Sequence, residues 1–397
     1  MKPLPAPLLS ALVLFILTRL SAQATDRVVV PGGMPPVYPT IATALNAASD
    51  NDRILVTPAT YTGTITIAKS VELTSTVSGQ RYTVTGDLVI APGPGHKRIA
   101  VHGLVLSGMI GGATDPNPHS FTLTGSTTGR IDVQGLYRTR CTLLRDTVNG
   151  SVRMRGGDLI GCRITGGDDH PGADHFGVLL MWGEEGNTAT CNVIGNHMGS
   201  IAELADANGS LPVSITAASP VYFANNYVEL FGAAYLNRPI ACYTPDFDQI
   251  ERFRFVNNTV RWVNVGSELQ DLIWADGQTV YAPIDARNNL LIGPLRIAVS
   301  GNTSSQGFNL QTMDSGQINI STGRPIPASI AWDSGDPDAS FTDLDLSRND
   351  VGCYGGSMSR DQFDDPVMNL AQATWTDAQH RVITLTPTAV VTQAVDR

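Results

Sequence analysis

The chain has 397 residues, 42% of them hydrophobic and 16% charged, with a formal net charge of −10 at pH 7. That composition supports a buried core and excludes a disordered chain, and the acidic balance argues against nucleic acid and anionic membrane surfaces as partners. A length that would ordinarily mean two or three domains is also what one continuous repeat array occupies.

Residues 1–24 read as a secretory signal peptide. Lys2 supplies the positive start, Leu8 to Leu17 an apolar run too short to span a bilayer comfortably, and Ala22-Gln23-Ala24 a small-x-small cleavage site. An uncleaved anchor is the alternative. Cleavage removes Lys2 and Arg19 and leaves 24 basic against 36 acidic residues, with Lys69 and Lys97 as the only lysines. The expected product is secreted or extracytoplasmic, with no membrane span after cleavage and no nucleic-acid partner.

A Pro-rich lead over 25–39 precedes an amphipathic helix over 40–48, with Thr40 as N-cap and Ile41, Ala44, Leu45 and Ala48 on one face. A single short helix ahead of a β array is placed to cover the open end of the stack. Alternating β pattern follows at Arg53–Val56, Thr64–Ile67 and Val71–Leu73.

Further along, one phrase returns: apolar residues, then Asn-Asn, Asn or Cys, then an apolar pair. It reads Phe255-Val256-Asn257-Asn258-Thr259-Val260 at its clearest. Taking Cys141, Cys162, Asn196, Asn226, Asn258 and Asn289 as equivalent gives intervals of 21, 34, 30, 32 and 31 residues. Such periods mean stacked repeats, and each copy carries only a short β run, so a β-helix with one coil per repeat is expected. Asn tolerates the left-handed backbone of a sharp bend, and coils stacked about 4.8 Å apart bring successive amides within hydrogen-bonding reach. Asn196, Asn226, Asn258 and Asn289 are therefore expected to form a buried ladder. Cys141 and Cys162, assigned one coil apart, read equally as a disulfide or as two buried thiols. Cys191, Cys242 and Cys353 have no zinc-ligand spacing.

Two phrases carry a family resemblance. Thr40-Ile41 with Asp52-Arg53-Ile54-Leu55-Val56-Thr57-Pro58-Ala59-Thr60-Tyr61 is similar to the N-terminal phrase of pectin-lyase-like right-handed parallel β-helix proteins, with Ala59 where that family prefers Gly. Asp343-Leu344-Asp345-Leu346-Ser347-Arg348-Asn349-Asp350-Val351-Gly352-Cys353-Tyr354-Gly355-Gly356 looks like the closing segment of many secreted bacterial members, with Leu346 and Cys353 as departures. The resemblance implies an all-β, right-handed parallel β-helix, a single-stranded solenoid with an N-terminal capping helix, over 40–356. A cap or tail at 357–397 completes the chain. It also implies a preference for polysaccharide, in a family that includes lyases, hydrolases, esterases, epimerases and non-catalytic surface proteins.

The chemistry is less specific. Asp168, Asp169, His170, Asp174 and His175 sit in one Gly-bounded loop, where carboxylates beside imidazole serve as acid and base for glycosidic cleavage or as cation ligands. Trp182, Glu184, Glu185 and His197 on following loops, with Arg163, are assigned to substrate binding on the same face. A solvated polar loop is the competing reading. No cofactor is dictated; Ca²⁺ is compatible with that loop and with the Asp333 to Asp345 stretch, although Arg348 and Tyr354 break an EF-hand. Two functions stay open: a polysaccharide lyase or glycoside hydrolase on uronic-acid-containing glycans, or a non-catalytic exported module that binds glycans or serves a surface or structural role.

Overall fold

The computed structural model describes residues 24–91, 93–136, 139–166, 179–182, 190–199, 213–216, 220–231, 240–243, 253–263, 269–276, 284–297, 305–364, 373–376 and 382–385. The chain winds as a right-handed parallel β-helix, most coils laying one short strand on each of three sheets. Among the described residues sheet A has 12 strands, from Asp26–Val29 to Ser305–Gly307, sheet B 11, from Thr60–Thr62 to Leu310–Thr312, and sheet C 9, from Ile65–Ile67 to Ile273–Asp276. All pairings within these three sheets are parallel and in register, as in Leu73↔Val101 or Val228↔Val260. Alternation along each strand sends one residue in two to a continuous interior of Val, Ile, Leu and Phe side chains.

The first open end is closed by α1, Ile41–Ala47, whose Ile41, Ala44 and Leu45 are buried. A reciprocal capping box fixes its start: Thr43 N–H donates to Thr40 Oγ1 at 3.1 Å and Thr40 N–H to Thr43 Oγ1 at 3.3 Å. The residues ahead of it are more than a lead. Asp26–Val29 pairs with Asp52–Val56, and buried Asp52 ties the two together by accepting from Thr25 N–H at 2.9 Å and Arg27 Nε at 2.7 Å.

The corner between sheets A and B is the regular one. In coil after coil a single residue takes a left-handed conformation: Gly103, Gly125, Arg145, Gly161, Gly195, Asn225, Asn257, Asn288 and Phe308. In most coils the next residue turns inward and accepts a backbone N–H from the coil before it. Asn258 Oδ1 accepts from Asn226 N–H at 3.0 Å, Asn226 Oδ1 from Asn196 N–H at 3.0 Å, and Asn289 Oδ1 from Asn258 N–H at 2.8 Å. The expected ladder is present, with all four amides 0% exposed.

It is also longer than the repeat phrase indicates. Asn309 continues it at one end, and at the other Ser126 and Asp146 take the amide's place, accepting from Leu104 N–H at 3.1 Å and Ser126 N–H at 2.8 Å. Burial above all pushes the Asp146 carboxyl well above its ordinary range. The ladder residue of that coil is therefore Asp146, and Cys141 is not equivalent to Cys162. Cys141 lies in a sheet A strand opposite Gly157, and both thiols are free and buried. The 21-residue interval spans more than one coil, because this coil is shorter than the later ones.

The left-handed asparagines have a separate task. Residues 315–364 form a strap along the A–B corner, running back toward the N-terminal coils. Asn225 Nδ2 donates to Gly355 O at 2.6 Å and Asn257 Nδ2 to the same oxygen at 2.8 Å, while Asn288 Oδ1 accepts from Asp336 N–H at 2.8 Å. Arg360 Nη1 reaches Asn196 O at 3.3 Å. Phe363 then packs on Gly161 and Gly195, where a Cβ on Gly195 would meet its ring at 2.2 Å. Under the strap the outer face of sheet A is apolar: Leu144, Ile160, Ile194, Ala224 and Val256 are covered by Phe341, Met358 and Phe363. The expected tail from 357 thus begins inside the strap, and an antiparallel hairpin of Ala373–Thr376 and Val382–Leu385 follows.

Candidate ligand-binding face

With the A–B corner occupied by short turns and the strap, the long connections are left to sheet C. Residues 165–178, 200–212 and 232–239 lead into it, and 183–190, 217–220, 244–252 and 277–283 lead out. Its inward positions, Leu179, Met181, Val213, Ile215, Ile240 and Ile273, are core. The alternate positions form rows that cross the coils. One row runs Val89, Gly111, Asp132, Arg153, Leu180, Ser214, Ala241, Trp274, and the next holds Trp182, Thr216, Tyr243 and Asp276.

On the N-terminal part of this face Asp132 is flanked by two guanidiniums. Arg130 Nη2 hydrogen-bonds its Oδ2, and Arg153 Nη1 lies 3.8 Å from the same oxygen. Arg155 Nε donates to Gln134 O at 2.6 Å. Two arginines on one carboxylate, with Arg155 near by in sequence, make this a cationic spot on an acidic chain. Asp132 lies between the Arg130 and Arg153 guanidiniums and ties the two together.

A second polar cluster lies on the outer face of sheet B, where Arg163, His197, Tyr227 and Thr259 share one row, and Gly199, Glu229 and Arg261 the next. Glu229 Oε2 is 3.0 Å from His197 Nε2, and its Oε1 accepts from Tyr227 OH at 2.9 Å and Arg261 Nη1 at 3.0 Å. Burial pushes the Glu229 carboxyl up, but the His197 and Tyr227 hydrogen bonds and the Arg261 charge outweigh it and hold it below its ordinary range. The Tyr227 hydroxyl also lies 2.7 Å from Ile320 O of the strap, so its single proton is shared between that carbonyl and Glu229. This is a satisfied network that bonds strap to solenoid.

The expected site is therefore divided. Arg163 and His197 are neighbours on sheet B, as coil stacking requires, but Trp182 is in a strand of sheet C, so His197 and Trp182 do not share a face. Each coil visits three sheets, and the residues between 182 and 197 cross from one to another. Asp168, Asp169, His170, Asp174, His175, Glu184 and Glu185 lie outside the described residues. Among the described residues no group of three or more His, Cys, Asp or Glu side chains is arranged to hold a metal ion. Arg130, Asp132, Tyr227, Glu229 and Arg261 were not singled out by the sequence. Counting from the ladder finds three of them, since Tyr227 is one residue past Asn226 and Glu229 and Arg261 are three past Asn226 and Asn258.

No protein-family profile and no curated protein matches the chain. Among solved structures it is similar to the pectate lyase Pel9A, with 12% identity over 85% of this chain and 97% of that one and a TM-score of 0.41.

Proposed function

We propose that this chain is an exported β-helix protein that holds an elongated, acidic glycan across sheet C. The observation that carries the reading is the arrangement of that sheet. Its outward rows repeat at the coil spacing of about 4.8 Å, so a polymer lying across the coils meets a new position at each step. The long connections are rooted at its two edges, and the Arg130, Asp132 and Arg153 group offers cationic contacts suited to uronic-acid carboxylates. Trp182, Tyr243 and Trp274 stand at register positions of these rows. Cleavage, if the protein performs it, falls to Asp168, Asp169, His170, Asp174 and His175 on the connection into sheet C. Export rests on the signal-like residues 1–24.

Incubating the mature chain with uronic-acid and neutral polysaccharides, with and without Ca²⁺, tests this. Retention on the acidic polymers is expected, and the products separate the activities: an unsaturated sugar absorbing in the near ultraviolet marks a lyase, new reducing ends a hydrolase, neither a binder. Indifference to acidic polymers would refute the reading.

A further inference from the structure

The two ends of the solenoid are finished differently. At the N-terminal end α1 lies over the first coil, and Lys69 Nζ donates to carbonyls of its last turn, Leu45 O at 3.3 Å and Asn46 O at 3.0 Å. At the other end the last strands of sheets A and B, Ser305–Gly307 and Leu310–Thr312, pair on one side with Ile284–Arg287 and Leu290–Ile292, and on the other with no strand among the described residues. The ladder stops there as well. Asn309 Oδ1 accepts from Asn289 N–H at 3.0 Å, but among the described residues the Asn309 N–H has no acceptor in its turn.

An edge of this kind is a template for pairing with another chain, and proteins ordinarily blunt it with charge or proline. Here both are missing. Residues 297–313 hold no Asp, Glu, Lys, Arg or Pro, and where the preceding sheet A strand carries Asp285 and Arg287 this one has Ser305 and Gly307. Two core columns reach the end, one through Phe255 and Ala286 and one through Val260 and Leu291, and they finish on Gln306 and Gln311, both exposed. A glutamine amide both donates and accepts, so it tolerates water and also pairs with its own kind. Around the two amides stand exposed apolar side chains, Phe308 at 41% and Met313 at 67%. Ile330 and Trp332 are exposed too, on a strap segment tied to this end: Ile330 N–H donates to Gln317 Oε1 at 2.9 Å and Gln317 Nε2 to Asp314 Oδ2 at 2.8 Å.

An uncharged edge fits a second copy of itself, because pairing about a two-fold axis sets like against like, and any charge there would meet its own sign. We infer that two copies of this chain join C-terminal end to C-terminal end, Ser305–Gly307 and Leu310–Thr312 pairing antiparallel with the same strands of the second copy. Gln306 and Gln311 meet across the join, and Phe308 and Met313 are buried at its rim. Growth stops at two, since α1 covers the opposite end of each copy and the two-fold contact closes. The join is on the end of the solenoid and not on sheet C, so it does not depend on the glycan reading.

Sedimentation velocity on the full mature chain over a range of concentrations tests this. A reversible monomer–dimer equilibrium is expected, with hydrogen exchange at the 305–313 amides slowing as the concentration rises. Gln306→Glu with Gln311→Glu, nearly isosteric and at exposed positions, should weaken dimerisation at least tenfold with an unchanged circular dichroism spectrum. Gln306→Lys with Gln311→Lys should do the same, and mixing the two double variants should restore a heterodimer. A monomer at every concentration, association that continues past two, or a dimer indifferent to both double variants overturns the inference. Protection of the Asn309 amide that does not vary with concentration would assign the edge to another segment of the same chain, and overturns it as well. Sedimentation and exchange on the unmodified chain decide the matter even if the variants fail to fold.

Discussion

Replacing Asn258 by Leu tests the ladder at its centre. The Asn258 amide donates to Phe223 O at 3.0 Å, Val256 O at 3.1 Å and Asn289 Oδ1 at 3.1 Å, and its oxygen accepts from Asn226 N–H and Nδ2 at 3.0 and 3.1 Å. Leucine is nearly the same size but removes all five bonds. The carbonyls have second lone pairs and Asn226 Nδ2 keeps Val193 O at 2.8 Å, so the dominant loss is the buried Asn226 N–H left without an acceptor. Such an orphan costs about 1–3 kcal/mol. Denaturant unfolding should show that drop with an unchanged m-value, and hydrogen exchange should show the Asn226 amide losing protection ahead of its neighbours. An unchanged unfolding midpoint with Asn226 still protected would refute the ladder as a stabilising device.

Phe363→Ala should loosen the far end of the strap, costing about 2–4 kcal/mol locally because Phe363 is 8% exposed over Gly161 and Gly195; limited proteolysis within 340–364 should speed up while the solenoid stays intact. Burial, with neighbouring carboxylates adding to it, pushes Asp343 up to about 6 and Asp350 up to about 7. Both folded values exceed the ordinary aspartate value of 3.8, so the native strap binds more protons than the unfolded chain and its stability falls as pH rises from that value through about 7. Asp350→Asn, which can still accept from Asp333 N–H, should flatten that loss and leave the strap more protease-resistant at pH 7.5 than the parent. Cys141 and Cys162 are free and buried, so both should react with a thiol reagent once the protein is unfolded without reductant.

The fold was legible because one position per coil keeps a single chemical requirement, an inward acceptor after a left-handed residue, and Asn meets it in five coils, four of which carry the repeat phrase. Where another residue meets it, the pattern is lost to the eye: Asp146 and Ser126 are ladder members with neither Asn nor Cys to mark them, and Cys141, five residues ahead of Asp146, mimics the repeat. The strap has no period, since its bonds run mostly to backbone carbonyls such as Gly355 O, yet the first Asn of each pair is its anchor. The site was harder. His197 and Arg163 follow the ladder and were brought together, whereas Trp182 could be placed only by knowing which of three sheets each short strand joins. Arg130, Asp132 and Arg153 belong to strands of two or three residues and their margins, too short for alternation to mark an outward face.

Calorimetric titration with oligogalacturonates of increasing length tests most directly the proposed binding of an acidic polymer across several coils of sheet C. Affinity should rise with length until the oligomer spans the rows, fall with added salt, and drop about tenfold in Arg130→Ala and in Arg153→Ala, a loss of about 1.4 kcal/mol. Equal affinity for a disaccharide and a long oligomer, or binding that ignores both substitutions in well-folded protein, would contradict it.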